Sequence, residues 1–162
     1  MSQGVPPLWQ LSSARTVALN GLLPLPRGVM PSDLPPLIWP IKDPGDVLDY
    51  SLDLSAALAG DPTDQVATVA VVVQPSGNSG DLLVGRVVGS GTSAVVWLSA
   101  GVPGTTYAVQ LAIGTLKGRV IGRTVLLPVQ QLAAISPLTN PLTTDAGSIV
   151  TDQNGNPILT GS

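Results

Sequence analysis

The stretch Val47-Leu48-Asp49-Tyr50-Ser51-Leu52-Asp53-Leu54 decides the fold class. Leu48, Tyr50, Leu52 and Leu54 alternate with Asp49, Ser51 and Asp53. A period of two marks a strand with one face in a core, because successive side chains of a strand point to opposite sides. The reading puts the four apolar residues inside and leaves the acids for solvent or a partner.

The same β signature continues downstream. Val66 to Gln74 is a nearly continuous apolar run, which suits a strand near the middle of a sheet, and the Pro75-Ser76-Gly77-Asn78-Ser79-Gly80 cluster after it is a turn. Leu82 to Val88 and Ala94 to Ser99 follow, separated by Gly89-Ser90-Gly91-Thr92. Tyr107 to Thr115 and Arg119 to Leu127 form a hairpin around Leu116-Lys117-Gly118. A weak strand between Trp97 and Tyr107, or near Ala56, brings the expected set to seven. Short strands with turns every eight to twelve residues predict an all-β, immunoglobulin/fibronectin-like antiparallel β-sandwich over residues 47–129. Tyr107 opens a late strand just after Gly104-Thr105-Thr106, where a tyrosine corner sits in such folds.

Two flanks of different character border this region. Residues 1–46 hold nine prolines, each fixing its own φ and biasing its predecessor toward extended backbone, so an extended Pro-rich arm is expected. The arm is apolar, with Trp9, Leu34 and Trp39 among its large side chains, and it needs a surface: its own domain or a neighbouring subunit. Large aromatics outside a core are characteristic interface anchors. Residues 130–162 open with a short helical possibility at 130–135 and become an extended C-terminal tail. It carries an echo, Thr144-Asp145-Ala146-Gly147-Ser148-Ile149 and Thr151-Asp152-Gln153-Asn154-Gly155-Asn156-Pro157-Ile158. Each copy suits an Asx turn with a returning aliphatic residue, Ile149 or Ile158.

Composition removes most chemistry. The 162 residues, the length of one domain with trimmings, contain no Cys, His, Glu or Phe. Nucleophilic triads, thiolate chemistry, disulfides and ordinary zinc, copper or haem sites all lack their ligands or actors. Charged residues make up 10% and the net charge is -3, a poor match for a phosphate backbone, so no nucleic-acid partner is expected. Mean hydropathy is +0.39, yet no apolar run approaches the roughly 18 to 20 residues that span a bilayer, so no membrane insertion is expected. The first fifteen residues show no secretion signal, and the chain is expected to be made and kept, or assembled, in the cytosol.

Six of the ten acids lie between Asp43 and Asp64, but their spacing matches no EF-hand loop, and turn initiation accounts for Asp43 and Asp61. A paired-carboxylate glycosidase would have to work without Glu and with few aromatics to stack sugars. Val88-Gly89-Ser90-Gly91-Thr92-Ser93 lacks the Lys of a phosphate loop and leads into a strand. No catalytic residue, cofactor or metal is expected. Arg119 and Arg123, with Lys117, form a small basic cluster on the last hairpin. It is read either as solvated charges with a cross-strand Asp, or as an inter-subunit pairing with Asp49 and Asp53.

At Trp39-Pro40-Ile41-Lys42-Asp43-Pro44-Gly45-Asp46, running into Tyr50-Ser51-Leu52-Asp53, the sequence resembles tailed-phage fibre-tail adaptors. Gly60-Asp61, Gly104-Thr105-Thr106-Tyr107, Gly118-Arg119 and Leu127-Pro128-Val129 follow in that family's order. Leu54 replaces the aromatic common after the strand Asp, and Asp64-Gln65-Val66-Ala67 replaces a Ser-rich segment ending in Trp. The resemblance covers about residues 39–129. It implies a non-enzymatic virion component with an immunoglobulin-like sandwich, assembled in the host cytoplasm. Its partners would be tail or fibre proteins, portal or capsid neighbours, and copies of itself. A head decoration protein and a carbohydrate-binding module for the host surface are the alternative expectations. The expected interface residues are Trp9, Leu34, Trp39, Asp49, Asp53, Arg119, Arg123, Ile149 and Ile158.

Overall fold

A computed structural model describes residues 10–19, 26–28, 34–133, 148 and 150–156. The chain divides into two compact units, Met1–Leu132 and Ala133–Ser162.

In the first unit the alternating stretch forms a strand, Leu48–Asp53, and the downstream runs form Val66–Gln74, Leu83–Ser90, Ser93–Ser99, Thr106–Thr115 and Val120–Pro128. Two short strands precede them, Thr16–Ala18 and Leu37–Ile38. In chain order these are β1 (Thr16–Ala18), β2 (Leu37–Ile38) and then β3 to β8. They build two four-stranded sheets, ordered β1-β3-β6-β5 and β2-β8-β7-β4. Tyr50, Leu52, Leu54, Val96, Leu98, Tyr107, Val109, Ile113, Val125 and Leu127 fill the core between them, each no more than 1% exposed.

The fold is all-β as expected, but the sheets are mixed. β1 pairs parallel with β3, Thr16 opposite Ser51, and β2 pairs parallel with β8, Leu37 opposite Val125. The segments of the Pro-rich flank around β1 and β2 therefore lie on their own chain, and Leu19 and Trp39 enter its core. Neither expected extra strand forms: residues 55–60 are turns and 100–105 a loop.

Two strand readings change. Asp49 and Ser51 are buried, 5% and 2% exposed, because the segment around β1 covers that face. Arg15 donates to the Asp49 carboxylate at 2.7 Å, and the Thr16 and Ser51 hydroxyls lie 2.6 Å apart. β4 closes the edge of its sheet rather than its middle. Its apolar run reflects Val69, Val71 and Val73 turned toward the core while Ala70 and Val72 stay exposed.

Both hairpins form where Gly allows them. Gly91 and Gly118 take φ of +59° and +87° in the β5–β6 and β7–β8 turns, a region open to Gly without steric cost. Tyr107 Oη donates to Asp81 Oδ1 at 2.9 Å and accepts the Val102 N–H, five residues upstream, at 2.9 Å. This bond pins the β6–β7 loop to the start of β7.

In the second unit, Asp152 Oδ1 accepts the N–H groups of Asn154 and Asn156 at 2.8 and 2.9 Å, and Gly155 N–H bonds back to Asp152 O. This is the Asx-type turn expected of the second echo. Most of the first echo lies outside the described residues, as does 134–135 of the expected helix, and 130–133 are not helical.

Candidate partner interface

Lys42, Asp43 and Asp46 fasten the entry to β3 to the loop after β6 and the exit from β8, at one end of the sandwich. Lys42 is 0% exposed. Its ammonium donates to Asp43 O at 2.7 Å and to Ala100 O at 2.8 Å. Burial pushes the Lys42 pKa below its usual value, against the opposing pull of Asp46 and Asp43. Asp43 Oδ1 accepts the Gly45 N–H and Oδ2 the Leu132 N–H, both at 2.8 Å, while Asp46 Oδ2 accepts the Asp43 N–H. The backbone adds Lys42 N–H to Pro128 O and Gln130 N–H to Lys42 O, both at 3.0 Å. A buried cation persists only when carbonyls and carboxylates replace its water, and Ala100 supplies one of those carbonyls from a left-handed φ of 58°.

Just before this clasp, the extended segment shows two sides. Trp39 is 1% exposed, tilted against Tyr50 with centroids 5.4 Å apart, and its indole N–H donates to Ser51 O at 2.9 Å. Leu34, Ile38 and Ile41 stay 57%, 51% and 47% exposed. The segment is anchored through Trp39 and leaves Leu34, Ile38 and Ile41 exposed.

At the opposite end of the sandwich, the β3–β4 loop meets the β7–β8 turn. Asp61 binds the Lys117 ammonium at 2.7 Å and Arg119 at 3.2 Å, and Asp64 binds Arg119 and accepts the Gln65 and Lys117 N–H groups. The Lys117 hydrogen bond, aided by Thr63 and Arg119, brings the Asp61 pKa down to about 2. Burial alone would raise Asp64, but Arg119, Thr115 and the Lys117 amide hold it below the usual carboxylate range.

The residues singled out from sequence therefore fall in separate places. Trp39 is core. Asp49 is engaged by Arg15, Asp53 accepts the Ser55 N–H and hydroxyl, and Arg119 is engaged by Asp61 and Asp64 of its own chain. Arg123 donates to its neighbour's carbonyl, Gly122 O, at 2.7 Å. Leu34 is exposed. Trp9, Ile149 and Ile158 lie outside the described residues. Lys42 was missed as a structural residue; its place in the Lys-Asp-Pro motif was the available signal. Arg15 was missed as well, and nothing in its local sequence marks it.

No ready chemistry gathers here. Among the described residues no group of three or more acids is placed to hold a metal ion, and no helix is long and apolar enough to cross a membrane. A shallow groove of about 440 Å³ on the outer face of β4, β7 and β8 is lined by Ala70, Val72, Gln110, Ala112, Gly122 and Thr124, with no aromatic ring. Tyr50 is buried and offers no ring face to a sugar.

Two four-stranded sheets around one core, with a buried clasp at one end, define an all-β protein of sandwich type. The family model described as Podophage GP4 fiber-tail adaptor protein gp77 matches residues 42–128, a little over half of the chain. The chain belongs to this Gp77 family, which makes it a bacteriophage structural protein with a tail adaptor role in the virion, binding other tail or fibre proteins. The matched segment runs from Lys42 almost to Val129, the two residues joined by a parallel bridge. No curated protein matches the chain.

Proposed function

We propose that this chain joins fibres, or another peripheral part, to the tail, with the sandwich as a rigid spacer and its extended flanks as the joining surfaces. The observation that carries the reading is the two-sided segment before the clasp. Leu37 and Trp39 hold it to the sandwich, while Leu34, Ile38 and Ile41, within eight residues of one another, remain exposed. Proline lowers the ordering cost of such a segment, because the free chain is already restricted. Trp9, Ile149 and Ile158 extend the same role along the two flanks.

The sheet order supports an immunoglobulin-type sandwich. β3-β6-β5 faces β8-β7-β4, β2 adds in parallel to the last strand, and Tyr107 bonds the loop before its own strand, as a tyrosine corner does.

Changing Ile38 and Ile41 together to Asp tests the reading. The variant is expected to keep its melting temperature, since both side chains are exposed, and to be missing from assembled tails in particle composition assays. Normal incorporation with a full set of fibres would refute it.

A further inference from the structure

The turn in the second unit contains an Asn154-Gly155 step. Asn-Gly is the peptide step most open to deamidation, because glycine has no Cβ to keep the Asn side chain off the next backbone nitrogen. The Gly nitrogen must lose its proton and attack Asn Cγ. The N–Cγ bond forms, the Cγ–Nδ2 bond breaks, and Nδ2 leaves as ammonia with the proton. Water then opens the cyclic imide, at Cγ to give aspartate or at the backbone carbonyl to give isoaspartate. Nothing is oxidised or reduced, and water is the co-reactant. In the folded turn the attacking nitrogen is engaged: Gly155 N–H donates to Asp152 O at 3.0 Å, and Gly155 is held at a φ of +82°. The Asp152 carboxylate braces this arrangement. Its Oδ1 accepts the Asn154 and Asn156 N–H groups at 2.8 and 2.9 Å, its Oδ2 accepts the Asn156 amide at 3.4 Å, and Asp152 N–H closes the turn on Asn156 O at 2.8 Å. Asn154 and Gly155 are both exposed. Water therefore has access, and the hydrogen bonds of the turn, not burial, stand between this link and the reaction.

We propose that Asn154 is a deamidation site and that Asp152 sets its rate, by holding a turn that withholds the Gly155 N–H from reaction. The modification is one-way. Isoaspartate inserts an extra methylene into the main chain between residues 154 and 155, which moves the Gly155 and Asn156 N–H groups away from their acceptors on Asp152. Either product also sets a new carboxylate beside that of Asp152, and like charges this close repel. A turn that has opened long enough to react does not close again in the same form, so this part of the C-terminal flank carries a record of how often it opens.

The test follows the full chain in mildly alkaline buffer, with and without guanidinium chloride, and uses fragmentation mass spectrometry to measure aspartate and isoaspartate at position 154 over time. Denaturant is expected to speed the wild-type reaction roughly tenfold, the factor that one hydrogen bond on the attacking nitrogen represents. Asp152→Ala, which removes the carboxylate acceptors, should bring the native rate up to the denatured one. Asp152→Asn, which keeps an acceptor oxygen, should slow it again. Melting of the first unit should be the same in all three chains, since Asp152 is exposed and its described bonds stay within the turn. No reaction at Asn154 in denaturant, equal native and denatured rates in the wild type, or a native rate that Asp152→Ala leaves unchanged would each overturn the proposal. So would an Asp152→Asn chain that reacts as fast as Asp152→Ala.

Discussion

The two ends of the sandwich both rely on charge, yet they use it in opposite ways. At the clasp one fully buried cation is satisfied by two carbonyl oxygens, and two carboxylates serve mainly as acceptors for backbone N–H groups. At the loop end two cations about half exposed, Lys117 at 47% and Arg119 at 45%, share two acids. Removing a partner from a buried set leaves an uncompensated charge or carbonyl, whereas exposed pairs exchange readily with water. Stability should therefore concentrate at the clasp, and at the loop end the exposed Asp61 pairs should tolerate change better than Asp64, whose carboxylate is buried beneath Arg119.

The largest expected effect is Lys42→Met, which leaves Ala100 O and Asp43 O without their donor and should cost about 3 kcal/mol in urea unfolding. The alkaline limb should also belong to the clasp end. Burial, with the nearby Asp46, pushes the Tyr50 pKa up to about 12. A raised phenol favours the folded state below pH 10, the unfolded value, and loses that advantage as pH rises toward 12. Wild type should lose about 2 to 3 kcal/mol relative to Tyr50→Phe across that window. Tyr107→Phe strands the Val102 N–H and one Asp81 lone pair, with an expected cost of about 1 to 2 kcal/mol by the same denaturation.

The loop end should show itself in acid. With its folded pKa near 2, Asp61 contributes stability that is complete above its unfolded value near 4 and is lost as pH falls from there toward 2. Asp61→Asn should flatten that part of the pH–stability curve, and added salt should shrink the difference. An unchanged acid limb would show that the cluster is decorative. The smallest change expected is a gain. Ala100→Gly relieves a left-handed residue and should add about 0.5 kcal/mol after the entropy of the freer unfolded chain is charged against it.

Much of this comparison was legible before any coordinates. Period-two runs, one nearly continuous apolar run and the turn clusters between them placed the six long strands, and Tyr107 after Gly104-Thr105-Thr106 marked the loop it fastens. What stayed hidden depends on contacts between remote residues. Asp49 reads as a solvent-facing acid until Arg15, 34 residues away, covers it. Lys42 is held by Ala100 O, 58 residues away, which accepts its hydrogen bond. β1 and β2 are too short for any periodicity, so their parallel docking leaves no local trace. β4 was misplaced because a strand buried on both faces and an edge strand with a bare outer face produce the same run of valines. At the candidate interface, aromatic size pointed to Trp39, but the same bulk suits a core. Its aliphatic neighbours Ile38 and Ile41 hold the exposed positions.

The parallel pairing of β2 with β8 has a mechanical meaning. The chain reaches β2 from one end of the sandwich and leaves β8 at the other, past the Lys42–Val129 bridge. Tension entering through the segment before Leu37 and leaving through the segment after Leu132 runs along these strands. Their hydrogen bonds are then strained together in shear instead of opening one after another.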